Sequence, residues 1–424
     1  MSEDRADRGR GVGMLRIAIL VHCSVLSSTL LIPAVRPFMA MHSAGDGAMH
    51  AFMSVNMLGA IVGAPLLAWL ADRSGRRAGL LVALAVLDGG LLLATTLPLG
   101  VGWVLALRGL QGAANVGGLS ILMGATRSRD PKEHGRAMGI AAAAVMAAVA
   151  LGAPLGTLLL SLGPAAPIVA GGLMQLLVAI DLFARPLQAP PARRRARSPF
   201  TMLRRERLLR LPTLWVAAER FAVGSFVVSF ALYGHRVLDL SDAEVGILFS
   251  WFLLPFALST YPMARVAERL PRAALVGGGL GGYGLSFVLL GLASPPLLPA
   301  VMFVAGLASA AIYAPSLCYA SALAPAEERS TSMAMMNAGG SLGMLLGTAL
   351  AGILSVSLAR AGWELGLVYP AIFALAGGVQ LLTLAISARG LIALHRAERR
   401  GALGVHEPCP ERSGVEPFET LARP

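Results

Sequence analysis

Apolar residues run through this chain in twelve long blocks separated by short polar breaks. In the first half the blocks cover about 15–36, 48–71, 78–98, 101–126, 136–161 and 164–185. In the second half they cover about 213–236, 243–267, 273–293, 296–323, 331–357 and 364–388. A helix needs roughly 20 mostly apolar residues to cross a bilayer. A helix of a soluble protein keeps a polar face for water, and these blocks leave too little of one. The pattern therefore predicts an all-α polytopic membrane protein with twelve transmembrane helices in two six-helix pseudo-symmetric bundles. The breaks divide it into an N-terminal segment 1–14, a first bundle 15–185, a linker 186–212, a second bundle 213–388 and a tail 389–424.

The sharpest break is Asp72-Arg73-Ser74-Gly75-Arg76-Arg77. A loop so charged cannot lie in hydrocarbon, where unsatisfied polar groups cost several kcal/mol each. It marks one face of the membrane, and Gly75 allows its bend. Arg36, Arg236 and Arg360 fall on the opposite face, and Arg108 and Arg220 fall inside spans. Every other basic residue lies on the face of the charged turn, together with both termini. Lys and Arg concentrate in cytoplasmic loops, so both termini are expected in the cytoplasm.

Composition agrees. Of 424 residues 56% are hydrophobic and 14% charged, well below a soluble domain's charge content. The formal charge of +12 sits in loops and tails, which turns the basic balance from a nucleic-acid signal into a topology signal. Lys132 is the only lysine, and Ala and Gly abound, a composition expected of a GC-rich bacterial genome and hence of an inner-membrane protein. The charged opening leads straight into a spanning block, so the first helix is expected to be a retained anchor. Cys23, Cys318 and Cys409 make neither a disulfide framework nor a metal-ligand spacing.

The halves echo one another. Pro131–Met138 enters the fifth block and Pro325–Met333 the eleventh, and a Gly-Thr region follows each: Gly152–Thr157 and Gly347-Thr348. Glu268 stands after the eighth block where Asp72 stands after the second. Such repeats build secondary transporters with a substrate site between the halves. The linker is Pro-rich and then basic (Arg193, Arg194, Arg195, Arg197, Arg204, Arg205, Arg207, Arg210), with Phe200, Leu203, Leu208, Leu209 and Leu211 interleaved. That composition suits a helix lying on an anionic membrane surface, or a solvated linker. The chain after Ser387 offers little to bury.

Several polar residues lie inside the spans, where ionisable groups default to functional candidates. Arg108, Gln111 and Asn115 form a stripe at i, i+3 and i+7 of the fourth block. Asp88 is at the middle of the third, a costly place for a carboxylate, suited to proton coupling or else paired with a neighbour. Glu219 and Arg220 are adjacent in the seventh block, and neighbours do not face each other, so each is expected to need its own partner. Asp181 and Arg185 are spaced as a structural i, i+4 pair. His22 is expected to be a satisfied polar residue. Tyr313 and Tyr319 flank Pro315 and either line a cavity or simply pack. Gly277–Gly282 lacks the strand and Lys-Ser/Thr of a phosphate loop, and like Gly339, Gly343 and Gly347 it suits close helix packing.

These motifs resemble the major facilitator superfamily across all twelve blocks. Asp72–Arg77 resembles its motif A, with Ala68 where the family usually has Gly. Leu107–Ala114 resembles motif B. Gly152-Ala153-Pro154-Leu155-Gly156 partly resembles motif C, the antiporter motif. The resemblance implies that Asp72, Arg73, Gly75, Arg76 and Arg77 form a gate, with Asp72 facing the start of helix 11 near Ser330 and the arginines pairing with Asp130 or Glu133. It implies roles for Arg108 in proton coupling or anion contact, and places helix 3, with Asp88, at the periphery of the substrate path. No nucleotide loop, catalytic triad or metal cluster is legible, so no enzyme activity, cofactor or metal is expected. The expected function is alternating-access transport, with proton-coupled efflux of a small organic compound by way of Asp88, Glu219 or Arg108 and its waters. Helix 1 lacks the acid that many such antiporters carry. Uptake or facilitated diffusion of a metabolite, or a transporter-like sensor without flux, are the alternatives. The expected partners are the small-molecule substrate, protons and membrane lipids, with no nucleic acid, and the chain is expected to be a monomer.

Overall fold

A computed structural model describes residues 2–42, 46–125, 131–187, 198–205, 207–324 and 328–399. The first half holds α1 (Ser2–Thr29), α2 (Val35–Met41), α3 (Asp46–Ser74), α4 (Arg77–Thr95), α5 (Val101–Gly124), α6 (Pro131–Leu160) and α7 (Ala166–Ala184). After α8 (Pro199–Arg205), the second half holds α9 (Arg210–Arg236), α10 (Asp242–Arg269), α11 (Arg272–Leu290), α12 (Leu298–Ala322), α13 (Arg329–Arg360) and α14 (Leu365–Arg399). Apart from the short α2 and α8, these match the twelve predicted blocks. Among the described residues ten helices are long and apolar enough to cross a membrane, and the apolar part of α1, Met14–Thr29, is shorter. The remaining long helix is α5, which carries Arg108 and Gln111.

Two boundaries differ from expectation, and the linker holds a helix, one of its two expected forms. The first block does not run unbroken to 36: Pro33 breaks the chain after Thr29, and α2 follows. The linker contains α8, started by Ser198, whose Oγ accepts from the Thr201 amide at 3.3 Å. The last helix does not stop near 388 but continues to Arg399. Leu391, Leu394, Ala397 and Glu398 are buried, because the extra turns lie against the second half rather than in water. The linker arginines 193–197 and the chain from 400 lie outside the described residues.

The two halves repeat one plan. α4 and α11 each have 19 residues and each opens on a buried arginine, Arg77 and Arg272. At the same register Gly89 approaches the Gly172 backbone on α7, and Gly284 approaches that of Gly377 on α14. The halves meet through α3 and α5 against α13, and through α6 against α10 and α12. Glycine permits the closest approaches. A Cβ on Gly124 would lie 2.6 Å from Ser330 Cα, and one on Gly139 would collide with the Ala264 methyl.

Within the second half, Gly339, Gly343 and Gly347 face Thr213, Ala217 and Phe221 of α9, as their spacing predicts. Of the Gly277–Gly282 run, Gly279 makes such an approach, to Ala308 and Ile312, whereas Gly278 faces open space.

Candidate functional site

Three groups of polar side chains stand out against this apolar framework. The first joins the halves at the face of the charged turn. Gly75 takes φ +67°, the left-handed conformation the bend requires, and α3 ends on one side of it while α4 begins on the other. Asp72 is 1% exposed. Its Oδ2 accepts from the Thr331 amide at 2.8 Å and from Thr331 Oγ1 at 2.7 Å. Thr331 lies in the first turn of α13, so a carboxylate of one half caps the positive N-terminus of a helix in the other. Arg77 holds the remaining oxygen, Oδ1, at 2.7 Å.

The other arginines of the turn behave differently. Arg73 lies over the Trp69 ring at 5.1 Å, and Arg76 is exposed. Arg77 therefore pairs within the turn itself. Asp130 and the Glu133 side chain lie outside the described residues, as does the Glu268 side chain. A few turns further in, Asn337 Nδ2 donates to Ser120 Oγ at 3.0 Å, a second polar joint between α13 and the first half.

The second group is a buried cage in the first half. Asp88 has no exposed surface and receives three side-chain amides. Gln111 donates to Oδ1 at 2.5 Å, Asn115 donates to Oδ2 at 2.6 Å, and Gln175 also donates to Oδ2. Gln111 turns its carbonyl outward, where it accepts from Asn56 at 2.8 Å and from Arg108. Arg108 lies over the Phe52 ring at 5.0 Å. Asn115 also reaches the Ser24 carbonyl at 3.1 Å. The stripe on α5 thus faces one way, as its spacing predicts, and what it faces is Asp88. A small cavity bounded by Asp88, Asn115, Ser24 and Gln175 opens beside the cage toward Leu84 and Leu122. Amide groups suit this place because each supplies donors to a carboxylate and can turn to accept instead.

The third group lies in the second half. Glu219 and Arg220 pair with each other at 3.3 Å, contrary to the expectation that adjacent residues turn apart. The long guanidinium stem folds back toward the carboxylate, because opposite charges attract strongly in a low-dielectric interior. Each also has a partner of its own: Ser309 donates to Glu219 at 2.8 Å, and Arg220 lies over the Tyr313 ring at 5.3 Å. Val216, one turn before Arg220, packs in the same apolar cluster as Tyr313 and residues of the first half, so this group borders the seam.

The family model described as Major Facilitator Superfamily matches residues 17–241 and again residues 220–407, which together span both halves. The chain belongs to the Major Facilitator Superfamily. No curated protein matches it. Among solved structures it is similar to the human organic anion transporter MFSD10 (TETRAN), with TM-score 0.71 and 17% identity over 88% of this chain and 97% of that one. At that identity the likeness shows the shared fold.

Within this superfamily fold the remaining expected residues take structural positions. A Cβ on Gly152 would collide with the Thr29 side chain, and one on Gly156 with the Leu30 carbonyl, so the helix-5 motif seats α6 against α1. Thr29 also donates to the Ala148 carbonyl at 3.0 Å, and Pro154 is exposed. His22 is satisfied by the Ala144 carbonyl at 3.0 Å. Asp181 pairs with Arg185 as its spacing predicts, and Arg16 joins them from α1 at 2.8 Å. Tyr319 donates to Glu398 at 2.7 Å and packs edge-on against Trp215, which makes it a packing residue and leaves Tyr313 beside the polar group.

Sequence reasoning missed Ser24, Asn56, Gln175, Ser309 and Glu398. One signal was available for Gln175. It precedes Leu-Leu a short way after the pair Gly171-Gly172, as Gln380 does after Gly377-Gly378 with one residue fewer between.

Proposed function

We propose that this superfamily member is a secondary transporter that works by alternating access and couples efflux of a small organic compound to protons. Its place is the bacterial inner membrane, with both termini and the charged turn cytoplasmic. The observation that carries the coupling is the Asp88 cage. A charged Asp88 accepts three amide donors. A protonated Asp88 carries a donor of its own, so at least one of Gln111, Asn115 and Gln175 must turn to accept it. Gln111 passes that change to Asn56, which lies on α3, and the last turn of α3 carries Asp72. Proton uptake at Asp88 and release of the Asp72–Thr331 joint then bias the same helix. Glu219, Arg220 and Tyr313, at the seam, are the groups that meet substrate.

The test uses purified protein in vesicles with an imposed pH gradient and a compound panel that includes organic anions, the class named for the structural neighbour. Proton movement that follows substrate movement, and is lost in Asp88→Asn, supports the reading. Flux indifferent to the gradient removes the antiport claim.

A further inference from the structure

The helix between the halves lies against both of them. α8 touches α3 of the first half and α13 of the second, the two helices whose ends Asp72 and Thr331 join. Met202 is 0% exposed and Pro199 is buried, while Thr201 and Arg204, one turn apart, are exposed. Leu209, just beyond, is also buried. Arg210 reaches back to the Arg204 carbonyl at 3.0 Å and is itself exposed. The segment therefore has an apolar side turned into the joint and an arginine side turned out. A surface helix free of the bundle would direct Met202 toward lipid, and this one directs it into the protein.

We propose that α8 is a strap across the cytoplasmic joint, and that anionic phospholipid headgroups of the facing leaflet bind its arginine side and hold it down. The geometry requires α8 to lose one of its two seats when α3 and α13 part, which exposes Met202. The arginine side is built for a negative surface. Arg204 and Arg210 project from the docked helix. Each arginine near an anionic leaflet contributes about fivefold to the docked population. The lipid thus favours the closed joint. The inference rests on reading the α3–α13 contact as a gate on the cytoplasmic side, and it is independent of substrate and coupling ion.

The experiment reads burial of Met202 rather than transport, so its failure is distinct from failure of the antiport reading. In a full-length background with Cys23, Cys318 and Cys409 replaced, Met202→Cys is alkylated by a water-soluble maleimide in vesicles of phosphatidylcholine, with or without phosphatidylglycerol. The expected result is alkylation at least about fivefold slower with phosphatidylglycerol. High salt, or Arg204→Gln with Arg210→Gln, should remove the difference. Equal rates in the two lipids, or a faster rate with phosphatidylglycerol, overturn the proposal. Should Met202→Cys fail to insert, Leu209→Cys gives the same readout.

Discussion

Thr331 donates twice to Asp72, from its backbone amide and from its hydroxyl, and by that contact one half of the molecule caps a helix of the other. The contact exists only while the two halves meet at this face. Arg77 on the far oxygen keeps the carboxylate aimed, so the three groups act as one joint.

Asp72→Asn keeps the shape and removes the charge. The helix-end interaction with Thr331, about 0.3–2 kcal/mol, is weakened, and it is made only while the two halves meet. A loss of that size shifts the closed state by up to about thirtyfold. Transport should fall to background while the variant still reaches the membrane. Flux and surface labelling on the same preparation check this, and normal flux would refute a gating role for Asp72.

Asp88→Asn should separate coupling from movement. The replacement still fits the cage but cannot exchange a proton. Downhill exchange of substrate should persist, and gradient-driven accumulation should disappear. Gln175→Leu tests the cage itself by removing one donor to Asp88 Oδ2, and should impair gradient-driven transport even though Gln175 lies away from the seam. A counterflow assay beside a gradient-driven assay distinguishes the two effects.

The part of this architecture that was legible is the part the membrane dictates. Hydrocarbon admits only self-satisfied helices, so twelve apolar blocks read directly as spans. The same logic made the charged turn legible, with Gly75 at its bend, and made Arg108, Gln111 and Asn115 one face. The cage was not legible because Gln175 and Asp88 lie 87 positions apart on separate helices. Asp88 stands out as a mid-span carboxylate, but only the packing of α4 on α7 through Gly89 and Gly172 brings Gln175 to it. The contact of Ser309 with Glu219, 90 positions apart, was hidden for the same reason. The pairing of Glu219 with Arg220 misled in the other direction. Helix periodicity fixes where Cβ atoms point, but a long side chain in an apolar interior bends toward the nearest charge.

The glycine face of α13 gives a stability prediction with an internal control. A Cβ on Gly343 would overlap the Ala217 carbonyl oxygen, which is backbone and cannot swing aside. Gly343→Ala should therefore push α13 off α9, with an overpacking cost of about 1–3 kcal/mol or more. Gly352, later on the same helix, has open space around it. Gly352→Ala should be neutral or stabilising by up to about 1 kcal/mol, since alanine is the better helix former. Thermal melting in detergent should fall for Gly343→Ala and hold or rise for Gly352→Ala.

The end of α14 carries the last prediction. If the chain beyond 388 were a solvated tail, removing it would leave stability unchanged. Instead Leu391 and Leu394 are buried against the second half. Glu398 accepts from Tyr319 at 2.7 Å and lies 3.5 Å from the Ala273 amide at the start of α11. Truncation after Arg389 removes two buried leucines, each worth about 2–5 kcal/mol by the cost of cutting such a side chain back to alanine. It also leaves the Tyr319 hydroxyl and the first turn of α11 without their acceptor. The expected outcome is a large drop in melting temperature and loss of monodisperse protein in detergent. Truncation after Arg399, which keeps Glu398, should leave both unchanged. Glu398→Gln should fall between these, because the amide still accepts from Tyr319 but brings no charge to the helix end. Equal stability of the two truncations would show that the last turns of α14 contribute nothing to the fold.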